Sequence, residues 1–166
     1  MSLALTQLEA VVFLPFVLPI CLWVIWSDLS RMKIPNLSNI ALVAVFLALG
    51  LFVLPPEAYA WRLAQLGIVL VIAFLANLIG MMGAGDAKFL AAAAPFIAPG
   101  DAGTLIMLLT GITICALLTH RMARRSRLRQ WAPDWESWQR TEKFPMGFAL
   151  GGTLIAYLGF GLAWGL

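Results

Sequence analysis

The sequence is poor in charged residues. Only 11% of its 166 residues are charged, whereas a soluble domain carries about 25%. Hydrophobic residues make up 62% of the chain, which excludes an ordinary soluble protein and predicts a membrane protein. One membrane span with its connection needs on the order of 25 to 30 residues, so the length allows about six helices. We therefore expect a single membrane-embedded domain over residues 1–166.

Cysteine and histidine are also scarce. Cys21 and Cys115 lie in separate apolar runs and form no CxxC pair, and His120 is the only histidine. This pattern excludes a disulfide framework and predicts neither a metal site nor a cofactor. The segment Met1–Ala10 lacks the basic residues that begin a cleaved signal peptide, so we expect the first span to remain in the mature protein.

Long uncharged runs dominate the rest of the sequence. They cover Ala10–Ser27, Ile34–Pro56, Leu63–Gly85, Phe89–Gly100, Ala102–Thr119 and Phe144–Leu166. The long runs match the roughly 20 residues that a helix needs to cross the bilayer. The fourth run is too short to cross alone, and it could extend backward, tilt or thin the bilayer. The predicted fold class is all-α, a polytopic membrane protein with about six transmembrane helices.

The basic residues are distributed unevenly about these runs. In a six-span arrangement ten of the eleven Lys and Arg residues fall on one side, and only Arg62 falls on the other. The positive-inside rule then places the loop after Asp28 in the cytoplasm and both chain ends outside it. Because these cations lie between apolar runs, they indicate membrane topology and predict the lipid bilayer, not a nucleic acid, as a partner.

The longest polar stretch, His120–Lys143, contains Trp131, Trp135 and Trp138. Their spacings of four and three would align them on one face of a helix, which suits an interfacial helix beneath anionic headgroups. An ordinary charged connector explains the same stretch, and both interpretations remain open.

Two of the eight acidic residues differ from the others. Six are expected in the N-terminal tail or in loops: Glu9, Glu57, Asp101, Asp134, Glu136 and Glu142. Asp28 and Asp86 instead adjoin apolar runs, where a carboxylate is costly and requires a partner or a use. Both belong to the predicted cytoplasmic side, so they can meet. Two carboxyl groups in a partly desolvated site share one proton, and this state lets an aspartic protease activate water and polarise a peptide carbonyl.

The residues around each aspartate predict irregular backbone. Gly83 and Gly85 precede Asp86 and allow a peptide to approach the backbone closely. Lys88 follows and could stabilise an ionised carboxylate or extend to the interface. After Asp28, the sequence Ile34-Pro35-Asn36 ends the helix, because Pro35 biases Ile34 toward extended geometry.

Other functions fit some of these features. A proton- or cation-coupled transporter could use Asp28 and Asp86 as a relay, since carboxylates within membranes commonly do so. In a structural assembly subunit the same acids would only set topology. A serine protease is much less favoured, because Ser27, Ser30 and Ser38 have no histidine or lysine at useful spacing.

The motifs resemble those of the type IV prepilin peptidases, which are marked by GxGD. The first family motif, an aspartate followed by a basic stretch and then hydrophobic-Pro-Asn, matches Asp28 and Ile34-Pro35-Asn36. The second, GxGDxK, matches Gly83, Gly85, Asp86 and Lys88. The segment from Lys143 to Ala149 is similar to the Pro-x-Gly opening of the family's last helix, with Met146 where an aromatic residue is expected.

This resemblance implies a specific activity. Members of the family cleave the leaders of prepilins and pseudopilins on the cytoplasmic side of the bacterial inner membrane, just before the hydrophobic N-terminal helix of the mature subunit. They use two aspartates and no metal or cofactor. Larger relatives also methylate the new N-terminus through a domain that commonly carries CxxC motifs. Because this chain has no CxxC motif, it resembles the short, peptidase-only type associated with Flp pili and tight-adherence systems, with no separate methyltransferase domain. The resemblance does not predict an oligomeric state.

Overall fold

The structure, a computed structural model, describes residues 3–140 and 143–166, so Glu142 lies outside the described residues. In these two ranges seven α-helices follow one another: α1 (Gln7–Arg31), α2 (Asn36–Val53), α3 (Pro56–Leu78), α4 (Ala84–Ala93), α5 (Ala102–Arg125), α6 (Glu136–Gln139) and α7 (Met146–Trp164). Five of them, α1, α2, α3, α5 and α7, are long and apolar enough to cross a membrane. No strand occurs in the described ranges. The prediction of an all-α polytopic membrane protein is confirmed.

The fourth apolar run forms no long helix. It continues α4 into two 3₁₀ turns, Ala94–Phe96 and Pro99–Asp101. Phe96 is fully buried and packs edge-on against Phe13 and Phe46, with ring centroids 5.1 and 5.5 Å apart. Non-helical backbone at membrane depth is tolerated where protein surrounds it, and this burial explains how so short a run connects the two ends of the bundle.

Helices α1 and α7 form the antiparallel centre of the bundle. A Cβ placed on Gly151 would lie 3.2 Å from the Cys21 carbonyl oxygen, so the two backbones approach closely there. At the far end the backbone N–H of Leu3 donates to the Trp164 carbonyl at 2.9 Å. Both ends of the described chain therefore lie at one end of the bundle, and Asp28 lies at the other.

The end that carries the chain termini contains a buried ion pair. Glu9 and Arg62 are 5% and 4% exposed, and Arg62 Nη2 lies 3.0 Å from Glu9 Oε2. Arg62 Nη1 also donates to the Pro95 carbonyl at 3.0 Å. The expectation that Glu9 lies in a tail was wrong, because helix α1 begins before it and Arg62 neutralises it.

Asp101 is the centre of a second buried group at the same end. Its carboxylate accepts from the backbone N–H groups of Ala4 and Leu5, at 2.7 and 3.0 Å, and from the Tyr157 hydroxyl at 2.7 Å. Asp101 lies, as expected, in the connection between α4 and α5, in a 3₁₀ turn, but it is buried and only 3% exposed. We call Glu9, Arg62, Asp101 and Tyr157 the terminal cluster.

The polar stretch that begins at His120 does not form one interfacial helix. It continues α5 to Arg125, then forms a 3₁₀ turn at Arg127–Trp131 and the single turn of α6. Trp138 is buried and stacks on His120, with ring centroids 4.8 Å apart, whereas Trp131 is 87% exposed. The prediction that the tryptophans align on one helical face was wrong, because helical periodicity applies only within a continuous helix.

Candidate active site

Asp28 lies in the last turn of α1 and is 5% exposed. Its Oδ2 accepts a hydrogen bond of 2.6 Å from the backbone N–H of Gly147, in the first turn of α7. A Cβ on Gly147 would lie 2.9 Å from both the Cβ and the Oδ2 of Asp28. Only a glycine therefore lets α7 approach Asp28 closely enough to donate this bond.

Asp86 occupies the first turn of α4, outside the five long helices. Burial raises the pKa of its carboxyl above the usual value, and a hydrogen bond from the backbone of Gly83 partly opposes this rise. A Cβ on Gly83 would lie 2.9 Å from Asp86 Oδ2. The first glycine of GxGD thus leaves room for the aspartate to fold back over the helix start.

Both aspartates line one cavity of about 1040 Å³, which we call the carboxylate cavity. Its other walls are partly apolar, from Leu90, Leu109 and Leu150 among others. Four exposed cations also line it: Lys33, Lys88, Arg140 and Lys143. The cavity thus combines two carboxyl groups with apolar walls and a basic border, an arrangement able to hold a peptide and a water molecule between two acids.

The two sequence motifs contact each other beside this cavity. A Cβ on Gly85 would lie 3.4 Å from the Cβ of Ile34, so the second glycine brings α4 against the connector between α1 and α2. Lys88 Nζ donates to Asn36 Oδ1 at 3.1 Å. These contacts fix the end of α1, which carries Asp28, relative to the start of α4, which carries Asp86.

The comparison with known protein families agrees with this arrangement. The sequence model of a family described as the type IV leader peptidase family matches residues 15–120, more than half of the chain. The chain belongs to the type IV leader peptidase family. The matched residues contain both aspartates, the connector after Asp28 and the Gly83–Lys88 segment. No curated protein and no solved structure matches the chain significantly.

Membership in this family means that the protein is a peptidase, and the family name implies substrates of the prepilin type. Family membership and the five apolar helices together indicate a leader peptidase that crosses the membrane several times. Within the described ranges, no three His, Cys, Asp or Glu side chains are grouped so that they could hold a metal ion.

The structure brings most of the predicted site residues of this leader peptidase together. Seven of the eight line the carboxylate cavity: Asp28, Ile34, Asn36, Gly83, Gly85, Asp86 and Lys88. The eighth, Pro35, precedes the first residue of α2, and its carbonyl accepts from the Ser38 hydroxyl at 2.7 Å. Lys88 bonds Asn36, and it forms no ion pair with Asp86 in the part of the chain that the structure describes.

Sequence reasoning missed several residues of the site. Gly147 was noticed only as part of a Pro-x-Gly segment, although its N–H is bonded to Asp28. Arg140 and Lys143 were counted for topology alone, yet both line the carboxylate cavity. The Pro-x-Gly pattern is the sequence feature that could have identified Gly147 as a site residue. Apart from their charge, Arg140 and Lys143 have no sequence feature that indicates the site.

Proposed function

We propose that this leader peptidase is an aspartic endopeptidase in which Asp28 and Asp86 form the catalytic pair. The observation that carries the proposal is the carboxylate cavity, which both side chains line from the ends of different helices. Burial raises the pKa of Asp86, and this favours its protonated form. The pair then titrates as a unit that holds one proton, as the reaction requires.

In the proposed reaction the ionised member removes a proton from a water molecule in the cavity. The water oxygen forms a bond with the peptide carbonyl carbon, while the protonated member donates a hydrogen bond to the carbonyl oxygen. A proton then passes from the pair to the peptide nitrogen as the carbon–nitrogen bond breaks. The Gly147 N–H holds one Asp28 oxygen in a fixed position during these steps, because it donates from the backbone of α7.

We place the cleavage on the cytoplasmic side of the bacterial inner membrane. Lys33, Lys88, Arg140 and Lys143 border the cavity, whereas Arg62 at the opposite end is neutralised by Glu9. An excess of Lys and Arg at one end of a helical bundle is typical of the cytoplasmic end. This distribution supports a site that receives a leader from the cytoplasm.

The substrates that we propose are prepilins and pseudopilins, in particular those of the Flp type. The family supports the prepilin class. The Flp type rests on the resemblance to the peptidase-only relatives without CxxC motifs. We also propose that one peptidase domain performs the reaction, since the long helices pack around a single core that joins α1, α2, α4 and α7. No cofactor takes part in this scheme.

The test is co-expression of a tagged Flp-type prepilin with the enzyme and with Asp28→Asn or Asp86→Asn. Each substitution is expected to lower cleavage at least about 1000-fold, because an amide cannot exchange the proton. Cleavage is read from the mass of the prepilin, and the amount of membrane protein is measured in parallel. Asp134→Asn, at an exposed acid outside the cavity, is the matched control and should cleave as wild type. Normal processing by either cavity variant would refute the aspartic mechanism.

No observation favours the transporter alternative. A relay needs proton-carrying groups that continue across the bilayer, and Asp28 and Asp86 both line a cavity at one end of the bundle. Ion flux through liposomes that is lost in both Asn variants, with no change in prepilin mass, would revive it.

A further inference from the structure

Helices α2 and α3 diverge toward the candidate active site. Near their connecting turn Tyr59 stacks on Phe46, with ring centroids 5.5 Å apart, and its ring fills the space beside Gly50. Farther along, α4 packs against both helices and forms the floor between them. The space above this floor is a groove of about 560 Å³, which we call the lateral groove.

The lateral groove is apolar except at one end. Ile40, Val43 and Ala44 of α2 and Leu66 and Leu70 of α3 form its walls, and Ala91 and Ala92 of α4 lie at its floor. The small floor residues allow the backbone of another helix to approach closely, as in helix contacts within membranes. Because α2 and α3 are both candidate membrane spans, the groove lies where lipid or a membrane-embedded segment would fill it.

The groove is continuous with the carboxylate cavity. Asn36 and Lys88, which bond each other, line both of them. A polypeptide held between Asp28 and Asp86 can therefore leave the cavity along the groove and enter the bilayer.

Asn39 is a buried polar residue beside the groove whose amide has no hydrogen-bond partner within the described chain. It is 7% exposed and lines the groove, and neither its amide nitrogen nor its amide oxygen has a hydrogen-bond partner among the described residues. It lies one helical turn beyond Asn36, about 4.5 Å deeper along α2. A helix N-terminus has backbone N–H groups without partners, and an asparagine oxygen is among the best acceptors for them. The first turn of an apolar helix in the groove would satisfy the amide oxygen after a rotation of the Asn39 side chain, because protein shields both amide atoms in the structure.

We propose that the lateral groove receives the apolar membrane helix of the substrate, the segment that follows the cleaved bond, and that Asn39 accepts from its first turn. This inference rests on the proposed function, since it assumes that a prepilin-type substrate is cut beside Asp28 and Asp86. The inference identifies a second surface that selects the substrate. The leader fills the carboxylate cavity, and the helix that follows the leader fills the lateral groove.

The kinetic test uses two substrates, a full-length prepilin and a peptide that ends before the apolar helix. Ala44→Trp fills the groove from an exposed position, so folding should be retained. It is expected to lower kcat/KM for the prepilin at least about tenfold, through KM, and to change cleavage of the short peptide less than about twofold. Asn39→Leu should also lower kcat/KM for the prepilin more than it lowers kcat/KM for the short peptide. Ala64→Trp, also exposed and outside the groove, is the matched control and should change neither substrate. An equal loss on both substrates, or no loss on the prepilin, would overturn the proposal.

A crosslinking test separates this inference from the proposed function. A photoreactive amino acid at position 44 or 64 is placed in the Asp86→Asn variant, which binds a prepilin without needing to cut it. Position 44 is expected to crosslink the apolar helix of the prepilin, and position 64 is not. If wild type cleaves no prepilin but position 44 still crosslinks its helix, the function fails and the groove stands. Crosslinks from position 44 only to lipid or to a second copy of this chain would overturn the inference.

Discussion

The two ends of the bundle hold acidic residues in opposite kinds of environment. In the terminal cluster, Glu9 has an arginine partner and Asp101 accepts from three donors. At the other end, Asp28 accepts from one backbone N–H of a neighbouring helix, and Asp86 bonds the start of its own helix. Both aspartates there also line a cavity of about 1040 Å³.

This difference separates acids that hold the structure together from acids that are available for chemistry. A buried carboxylate that is paired with an arginine or bonded to several donors stabilises the fold and is closed to water and substrate. A carboxylate that lines a cavity keeps oxygens free for water and substrate. The same residue type thus contributes to stability at one end and, in our proposal, to cleavage at the other.

The largest expected effect that tests this contrast is on stability. Asp101→Ala leaves two buried groups, the Leu5 N–H and the Tyr157 hydroxyl, and the part-buried N–H of Ala4 without their acceptor. Since each unsatisfied buried group costs about 1–3 kcal/mol, the free energy of unfolding should fall by about 3 kcal/mol or more. Unfolding with SDS in mixed micelles, followed by tryptophan fluorescence, measures it.

Asp86→Asn is the matched comparison for that measurement. Burial raises the pKa of Asp86, so its charged form is less stable in the folded protein than in the unfolded chain. The amide should therefore leave the free energy of unfolding at pH 7 unchanged or higher. A loss as large as that of Asp101→Ala would show that Asp86 is a structural acid, and the contrast between the two ends would fail.

The next effect is on cleavage and concerns Gly147. The Cβ of Gly147→Ala would meet the Cβ of Asp28 at 2.9 Å, and a Cβ cannot rotate away. Helix α7 must then move from α1, which removes the hydrogen bond to Asp28. We expect kcat/KM for a prepilin to fall about 100-fold, equivalent to about 2.7 kcal/mol. Gly159→Ala is the control on the same helix, because its Cβ would have open space. Equal activity of the two variants would remove Gly147 from the site.

A smaller effect distinguishes the two glycines of GxGD. Gly83→Ala places a Cβ 2.9 Å from Asp86 Oδ2, an atom that can rotate away at the expense of its bond to the backbone. Gly85→Ala places one 3.4 Å from Ile34 Cβ, which is close to an ordinary contact. We expect kcat/KM to fall about tenfold for Gly83→Ala and about threefold or less for Gly85→Ala. The reverse order would mean that the contact with Ile34 matters more than the freedom of Asp86.

Much of the site was predictable because its motifs are local in the sequence. Asp28 with Ile34-Pro35-Asn36, and Gly83 and Gly85 with Asp86, combine residue types whose backbone preferences and charge are unusual beside apolar runs. The contact between Gly85 and Ile34 was not predictable, since it depends on how α4 enters the bundle. Gly147 was missed for the same reason, because it meets Asp28 only through the packing of α7 on α1.

The fold was predictable where hydrophobicity decides it. The five long helices follow from apolar runs of sufficient length. The buried 3₁₀ turns after α4 do not, because a short apolar run has the same composition whether lipid or protein surrounds it. The terminal cluster was missed because charge suggested exposure, and the pairing of Glu9 with Arg62 joins helices that are distant in sequence.

The smallest expected effect concerns pH. A carboxyl whose pKa is higher in the folded than in the unfolded protein reduces stability once the unfolded chain begins to ionise, at about its usual value of 3.8. The loss grows as pH rises toward the raised folded value and is constant above it. The free energy of unfolding of Asp86→Asn minus that of wild type should therefore increase with pH from about 4 upward. A difference for Asp86→Asn that decreases with pH would mean that partners outweigh burial at Asp86, and that both ends of the bundle hold their acids in the same way.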